Sequence, residues 1–559
     1  MNKYIKTTLK VIEITKTPYK YIWYLGIYTL FASFIEIISL QKLNNFLSNL
    51  TSFNQSNNQL NNIIYQAIIL ILIFFVRMLI SVFVNYKIAF RSNYILVRLR
   101  NLLLNRILEC SRDKIDLSKT SININLLQNS SINVANIYVA QSIKTVSEIV
   151  ILTLLIIYLF IKDFYIMSIT CAFLVIGFLI IQYPIKYIST KAGKSNIIAN
   201  ENTLLSFSNI FLNYKMIRSL GEESFFGNFG KKYIKMYAKS NTIDKTVRSA
   251  PRVIFEFFLI LGAITSLLFL FNIYDDFGII IGSVAIVIAG GFRIIPAANI
   301  VANFINAFNF NYYAYEKIIN LLEQTNDDCE YKNAKTFSKK YLSDLKRKRI
   351  FFGEIIDRDN KTLLEEKGFY FNFGEINSIV GPSGSGKTTI AESILGFRGE
   401  KYIPSIFLEN EILGFQDRKS FISSSSYCPQ LPSLFEATFA ENISFKSYED
   451  KDFDLVKAEK IVKRLGLTNI QKRLGWDGKM YLNDSFLSGG QLQRLSLARG
   501  IYASKKILFL DEITANLDEE TELSIINLLK ELSKDVMIIC ITHSNTLIKN
   551  SRIAINLEN

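Results

Sequence analysis

Six mostly apolar stretches fill the first 310 positions, at 21–40, 63–84, 145–161, 164–185, 252–273 and 278–305. A bilayer core needs about 20 such residues per helix. Backbone polar groups in hydrocarbon must be satisfied within the chain, so these stretches predict six membrane helices. Only Lys162 and Asp163 part the third and fourth, which reads as a tight hairpin. The composition agrees: 50% hydrophobic, 13% aromatic, mean hydropathy +0.22.

The chain is also basic, with a net charge of +15. A nucleic-acid partner would explain that charge if it formed one block or stripe. Instead the basic residues lie between the apolar spans, so no nucleic acid is expected as a partner. The loop at 43–62 has no charge, and that at 274–277 carries Asp275 and Asp276. By contrast 86–141 holds Lys87, Arg91, Arg98, Arg100, Arg106, Arg112, Lys114 and Lys119, and 186–250 runs from Lys186 through Lys215, Arg218 and Lys239 to Arg248. Positive charge favours the cytoplasmic side, which puts both long segments and both termini there. Their helical pattern predicts stalks that continue the membrane helices into the cytoplasm. The N-terminal "MNKYIKTTLKVIEITKTPYKYIW" lacks the pattern of a secretory signal. It suits an amphipathic helix on the membrane surface, with a solvated basic tail as the alternative. The cysteines at 110, 171, 329, 428 and 540 show no paired spacing and read as free thiols.

Beyond about residue 325 the character changes. We read residues 1–325 as the membrane domain, 326–347 as a charged linker and 348–559 as a second domain. There, short apolar runs alternate with helical patterns, as in an α/β domain with a largely parallel sheet. In "INSIVGPSGSGKTTIAESIL", Gly381, Pro382, Ser383, Gly384, Ser385, Gly386, Lys387, Thr388 and Thr389 form a glycine-rich loop between a strand and a helix. Such a loop turns backbone amides toward phosphates. Lys387 would meet the phosphates, and Thr388 would ligate magnesium. "KKILFLDEIT" ends an apolar strand in Asp511, placed to hold magnesium, and Glu512, placed as general base for an attacking water. In "FLSGGQLQRLSLARG", Ser488, Gly489, Gly490 and Gln491 open a helix and offer a second anion site.

These motifs together resemble the ATP-binding-cassette (ABC) family, and "LSGGQ" at 487–491 is similar to its signature. The resemblance implies an α/β P-loop NTPase cassette that uses ATP and Mg2+. "YCPQLPSLFEATFAENI" resembles the Q-loop region, which makes Gln430 a magnesium-sensing catalytic residue and metal contact. "ANLD" at 515–518 resembles the D-loop, through Asn516 and Asp518. His543, the single histidine of the chain, falls at the family's switch histidine and would contact the γ-phosphate. The usual adenine-stacking aromatic is not at its usual spacing: counting back reaches Asp357, and Phe351 and Phe352 lie too early, so either the loop has shifted or Arg358 stacks on the base.

Six helices plus one cassette make half a transporter. The resemblance implies a homodimer with two ATP sites, each shared between a phosphate loop and the partner's signature. It implies an exporter-type all-α membrane domain, with coupling helices near 113–126 and 212–226. Glu36, Arg77, Glu148, Arg252, Glu256 and Arg293 lie in the spans, where charge is costly. They either pair internally or receive an anionic head group. "SAPRVIFEFF" at 249–258 and "FRIIPAANIVANF" at 292–304 are similar to stretches in bacterial flippases for lipid-linked oligosaccharides. That implies an amphipathic, anionic lipid-linked substrate meeting Arg77, Arg252 or Arg293, moved across a bacterial plasma membrane. Exporters of lipid, peptide or drug are the alternative, and an ATP-gated channel or sensor is the rival of another class.

Overall fold

The computed structural model describes residues 2–51, 57–109, 120–162, 164–271, 277–324, 350–352, 355–356, 362–364, 369–397, 406–408, 411–412, 424–481, 487–504, 506–514 and 517–557. It divides into two compact units, one within residues 1–324 and one chiefly of 325–559.

The first unit is all helix. After α1 (Asn2–Ile14) come α2 (Tyr19–Thr51) and α3 (Asn57–Glu109). A continuous helical run then joins α4 (Thr120–Asn125), α5 (Ser131–Ala135) and α6 (Ser142–Lys162) through π-helical turns at Leu126–Ser130 and Asn136–Gln141. It is followed by α7 (Phe164–Leu212), α8 (Tyr214–Leu220), α9 (Glu223–Phe271) and α10 (Phe277–Gln324). Among the described residues, Ile63–Leu108, Thr120–Ile161, Phe164–Leu212 and Glu223–Phe271 are long and apolar enough to cross a bilayer. The other two expected spans fall on α2 and α10, parts of which lie outside the described side chains. The 49 residues of α7 would reach roughly 74 Å at 1.5 Å per residue, well beyond a core of about 30 Å. The helices are therefore long enough to run on as stalks.

Small residues bring these helices together. A Cβ on Gly193 of α7 would lie 1.8 Å from the Phe310 carbonyl oxygen of α10, and one on Gly177 would lie 2.7 Å from the Phe258 ring of α9. Without strong hydrophobic drive between helices in lipid, such close approach supplies the packing. Pro184, Pro251 and Pro296 lie inside α7, α9 and α10, which continue past them. They neighbour one buried cluster of Ile181, Ile185, Val247, Phe255 and Ala302. In a second cluster Tyr138 lies 4.7 Å from Phe308 and 5.0 Å from Tyr315, with Leu99, Leu103 and Ile318.

α1 joins that second cluster. Val11 and Ile12 are buried, the Tyr4 ring lies 4.4 Å from Phe308, and Lys10 pairs with Glu323. The N-terminal stretch is thus no solvated tail: Tyr4, Val11 and Ile14 join a cluster that also holds residues of α3 and α10, while Ile5 and Leu9 stay exposed. α8 sits where the second coupling helix is expected. Half of the first, including Lys114 and Lys119, lies outside the described residues, as do Arg112, Asp275 and Asp276, and α4 falls in its other half.

In the second unit, five parallel strands run in the order β11-β5-β10-β9-β8. They are β5 (Ile376–Val380), β8 (Ser425–Cys428), β9 (Ile507–Asp511), β10 (Met537–Ile541) and β11 (Arg552–Asn556). β5, β9 and β10 are buried on both faces, which suits the apolar runs of β9 and β10, while β5 buries Asn377 and Ser378 with hydrogen bonds to the Ile538 and Arg552 carbonyls. One face packs on the helix Lys387–Ile394, and the other on the helix Gly489–Ala503. A four-stranded antiparallel sheet, ordered β4-β1-β6-β7, is an addition to the expected parallel one. Its strands are β1 (Ile350–Phe352), β4 (Phe369–Phe371), β6 (Ile406–Leu408) and β7 (Glu411–Ile412), and β2 (Ile355–Ile356) pairs with β3 (Thr362–Leu364) beside it. Runs of two or three residues are too short to show a period.

Candidate functional site

The carboxyl ends of the parallel strands gather the chemistry. β5 leads into the glycine-rich loop, where Gly381 (φ +153°) and Gly386 (φ +96°) adopt backbone conformations that side chains disfavour. A Cβ on Gly381 would also lie 2.8 Å from the Leu557 Cβ. Lys387, the first residue of the following helix, is buried, and its ammonium donates to the carbonyls of Gly381 and Pro382, each at 2.8 Å. Burial pulls its pKa below the usual lysine value, while Glu512 and Asp511 pull it back up. Pro382, Ser383, Gly384 and Thr388 are exposed, and Thr389 is half-buried. The Ser385 hydroxyl is buried without a hydrogen-bond partner.

β9 ends in Asp511, 2% exposed. The Tyr427 hydroxyl donates to its Oδ2 at 2.9 Å. Burial raises the Asp511 pKa, and the tyrosine hydrogen bond opposes that rise. The Tyr427 phenol is itself pushed well up by burial and by the neighbouring carboxylate, so it stays a neutral donor. Glu512 follows in a left-handed conformation, φ +47°, its amide donating to the Ile541 carbonyl at 2.9 Å. That conformation is uncommon outside glycine, asparagine and aspartate, and such outliers gather at functional sites. The Gln430 side-chain amide donates to Glu512 Oε2 at 2.5 Å, and His543 Nε2 lies 3.4 Å from Oε1. The three strand ends after β8, β9 and β10 thus converge on one carboxylate.

Ser488 caps the helix Gly489–Ala503. Its hydroxyl accepts from the Gln491 amide at 3.2 Å, and the Gln491 side-chain oxygen accepts from the Ser488 amide at 3.0 Å. This reciprocal box fixes a helix start whose other amides point outward. Ser488 and Gly489 are exposed, and among the described residues neither Ser488 nor Gln491 hydrogen-bonds to the glycine-rich loop. Asp518 caps the helix Glu519–Leu532. Asn516, Asp357 and Arg358 lie outside the described residues. Sequence reasoning missed Tyr427, and also Gln493, whose buried amide reaches the Glu512 carbonyl at 3.3 Å.

These groups fit a magnesium nucleotide. A cation-lined loop with an unpartnered buried hydroxyl suits phosphate oxygens. The exposed Thr388 hydroxyl and a buried carboxylate short of compensating charge suit a hard cation.

Comparison with known proteins bears on the cassette and on the fold. The ABC transporter family profile matches residues 364–515. The whole fold is similar to that of a bacterial Atm1-family ABC exporter solved with ATP bound, at a TM-score of 0.77 and 17% identity, covering 98% of this chain and 92% of that one. Residues 364–515 are thus an ABC transporter cassette, and the chain has the fold of an ABC exporter. Its four long apolar helices among the described residues indicate a multi-pass membrane protein. It is 31% identical to an ATP-dependent lipid A-core flippase of Ralstonia nicotianae over 202 residues, which are 36% of this chain and 34% of that protein. With the flippase of the same description in Legionella pneumophila it shares 25% identity over 384 residues, 68% of this chain and 63% of that one. The match with the first curated relatives thus spans well under two thirds of their length.

Within the helical unit, the charged residues of the spans fall into two cavities. Arg77, Lys144, Glu148 and Arg293 line one of about 400 Å³, together with Ser81, Asn85 and Ser147. There Arg293 Nη2 pairs with Glu148 Oε2 at 2.8 Å, both largely buried. Arg252 lines a neighbouring, mainly apolar cavity of about 800 Å³ between α9 and α10, and it pairs with Glu256 at 2.8 Å on an exposed face. Arg77, Arg252 and Arg293, any of which was expected to meet a head group, are therefore split between two cavities, with Arg293 paired to Glu148 and Arg252 to Glu256. The side chain of Glu36 lies outside the described residues.

Proposed function

We propose that this ABC transporter hydrolyses ATP to export or flip an amphipathic substrate across a bacterial plasma membrane, working as a homodimer with its cassettes in the cytoplasm. The observation that carries this reading is the convergence of Gln430, Glu512 and His543 beside a phosphate loop whose Lys387 is already desolvated.

Gly381 to Thr389 hold the phosphates through amides, the Ser385 hydroxyl and the Lys387 ammonium. Thr388, Asp511 and Gln430 hold magnesium, which when bound neutralises charge on the phosphates. Glu512 takes a proton from the attacking water. Its gripped orientation suits that task, because a base must be held within hydrogen-bond reach of its proton. His543 lies on the other side of Glu512 and donates to the γ-phosphate. The exposed helix start at Ser488 to Gln491 serves the partner's nucleotide rather than its own. Substituting Glu512→Gln keeps the side chain's shape and removes the base. Nucleotide binding should persist while turnover falls about 10²–10⁴-fold. Unchanged turnover would refute the assignment.

For the substrate we infer a lipid-linked oligosaccharide or a related glycolipid. Three supports are the span motifs, the pairing of a cation-lined cavity with an apolar one, and the lipid A-core flippases among the relatives.

A further inference from the structure

Tyr427 is the one group whose hydroxyl touches Asp511 in the hydrogen bonds described above, and sheet register explains how it reaches. β8 runs parallel to β9, with Tyr427 opposite Phe509 and Cys428 opposite Leu510. Strand residues alternate faces, so Tyr427, Ile507, Phe509 and Asp511 share one face, and Cys428, Leu508 and Leu510 the other. The cores agree: Phe509 and Tyr427 pack with the phosphate-loop helix, and Cys428 with the opposite layer. Asp511 lies two residues beyond the Phe509 row, a diagonal neighbour of Tyr427. Long aromatic side chains span that diagonal and shorter ones do not. The ring is braced by Phe397, just past the phosphate-loop helix, with centroids 5.7 Å apart and planes at 74°.

The contact has a consequence for the carboxylate. Asp511 is buried, and an unrestrained carboxylate there could turn about its last torsion. The tyrosine takes Oδ2 and leaves Oδ1. Three residues later Gln430 grips Glu512, so one short segment holds both acids at the end of β9.

We propose that Tyr427 is the positioning residue of the magnesium site: its hydroxyl fixes Asp511 through Oδ2 so that Oδ1 serves the metal. This rests on the ATP-hydrolysing reading above. Groups that hydrogen-bond a metal's ligands set their orientation, and losing one weakens metal affinity about 10–100-fold.

The test is Tyr427→Phe in the full chain, which removes one oxygen and keeps the ring. Binding of a fluorescent ATP analogue is measured in EDTA, and Mn2+ is then titrated onto the ATP-loaded protein by electron paramagnetic resonance. We expect the Mn2+ half-saturation to rise about tenfold, with metal-free nucleotide affinity within about twofold of the parent. In an Asp511→Asn background, Tyr427→Phe should change neither. Unchanged Mn2+ binding would overturn the proposal. So would an equal loss of both affinities, which a merely structural ring gives, or full additivity with Asp511→Asn. A parent chain that binds no nucleotide at all would instead overturn the functional reading.

Discussion

At the scale of the residue, Arg293 and Arg252 show how much a partner matters. Both are arginines inside predicted spans, yet Arg293 is largely buried against Glu148, in a cavity shared with Arg77 and Lys144, while Arg252 is exposed beside Glu256. Charge-assisted bonds in buried sites are worth about 1.5–3 kcal/mol, whereas exposed pairs contribute roughly 0–1 kcal/mol. If the substrate's anion is read in that cavity, Arg293→Gln should raise the half-saturating concentration of a polyprenyl diphosphate lipid at least about tenfold. Arg252→Gln should raise it less than about threefold, with ATPase stimulation in proteoliposomes as the readout. Equal effects would contradict a head-group site there. The charges themselves were legible, because ionisable residues stand out in apolar runs. Glu148 as the partner was not, being 145 positions away. The same holds at the nucleotide site. Phosphate binding needs contiguous amides, so Gly381 to Thr389 and Ser488 to Gln491 announce themselves in line. Tyr427 depends on which strand lies beside which, and sequence spacing does not carry that.

At the scale of the element, hydropathy over 20 residues revealed the helices, since a bilayer tolerates little else. It did not reveal what glycines do in them. Gly193 lets α7 approach the α10 backbone so closely that any side chain collides with the Phe310 carbonyl. Gly193→Ala should therefore force the two helices apart at a cost of about 1–3 kcal/mol or more. The expected outcome is a lowered melting temperature in detergent, with nucleotide binding by the cassette preserved. An unchanged melting temperature would show that the helices are not held at this point. α1 was legible as amphipathic but not as docked, because periodicity gives a helix an apolar face without naming what covers it. β1, β4, β6 and β7 escaped detection because two or three residues hold too little alternation.

At the scale of the whole molecule, one feature supports the proposal that one chain is half of a machine, and another the proposal of its orientation. Its helix start is capped, with Ser488 and Gly489 exposed, and among the described residues neither Ser488 nor Gln491 hydrogen-bonds to the glycine-rich loop. Its basic residues are concentrated between the spans in two long segments, which fits a single orientation in the membrane. The central claim is that each ATP lies between the phosphate loop of one copy and the signature helix of the other. Mixing two disabled copies tests this directly. A chain with Lys387→Ala lacks a phosphate loop, and one with Ser488→Arg lacks a usable signature. A dimer of the two gathers both lesions into one site and leaves the other whole. Purified mixed dimers should then trap nucleotide with vanadate at one site, while each parent dimer traps none. Mixed dimers as inactive as their parents would contradict the shared site, and with it the proposed account of how this protein works.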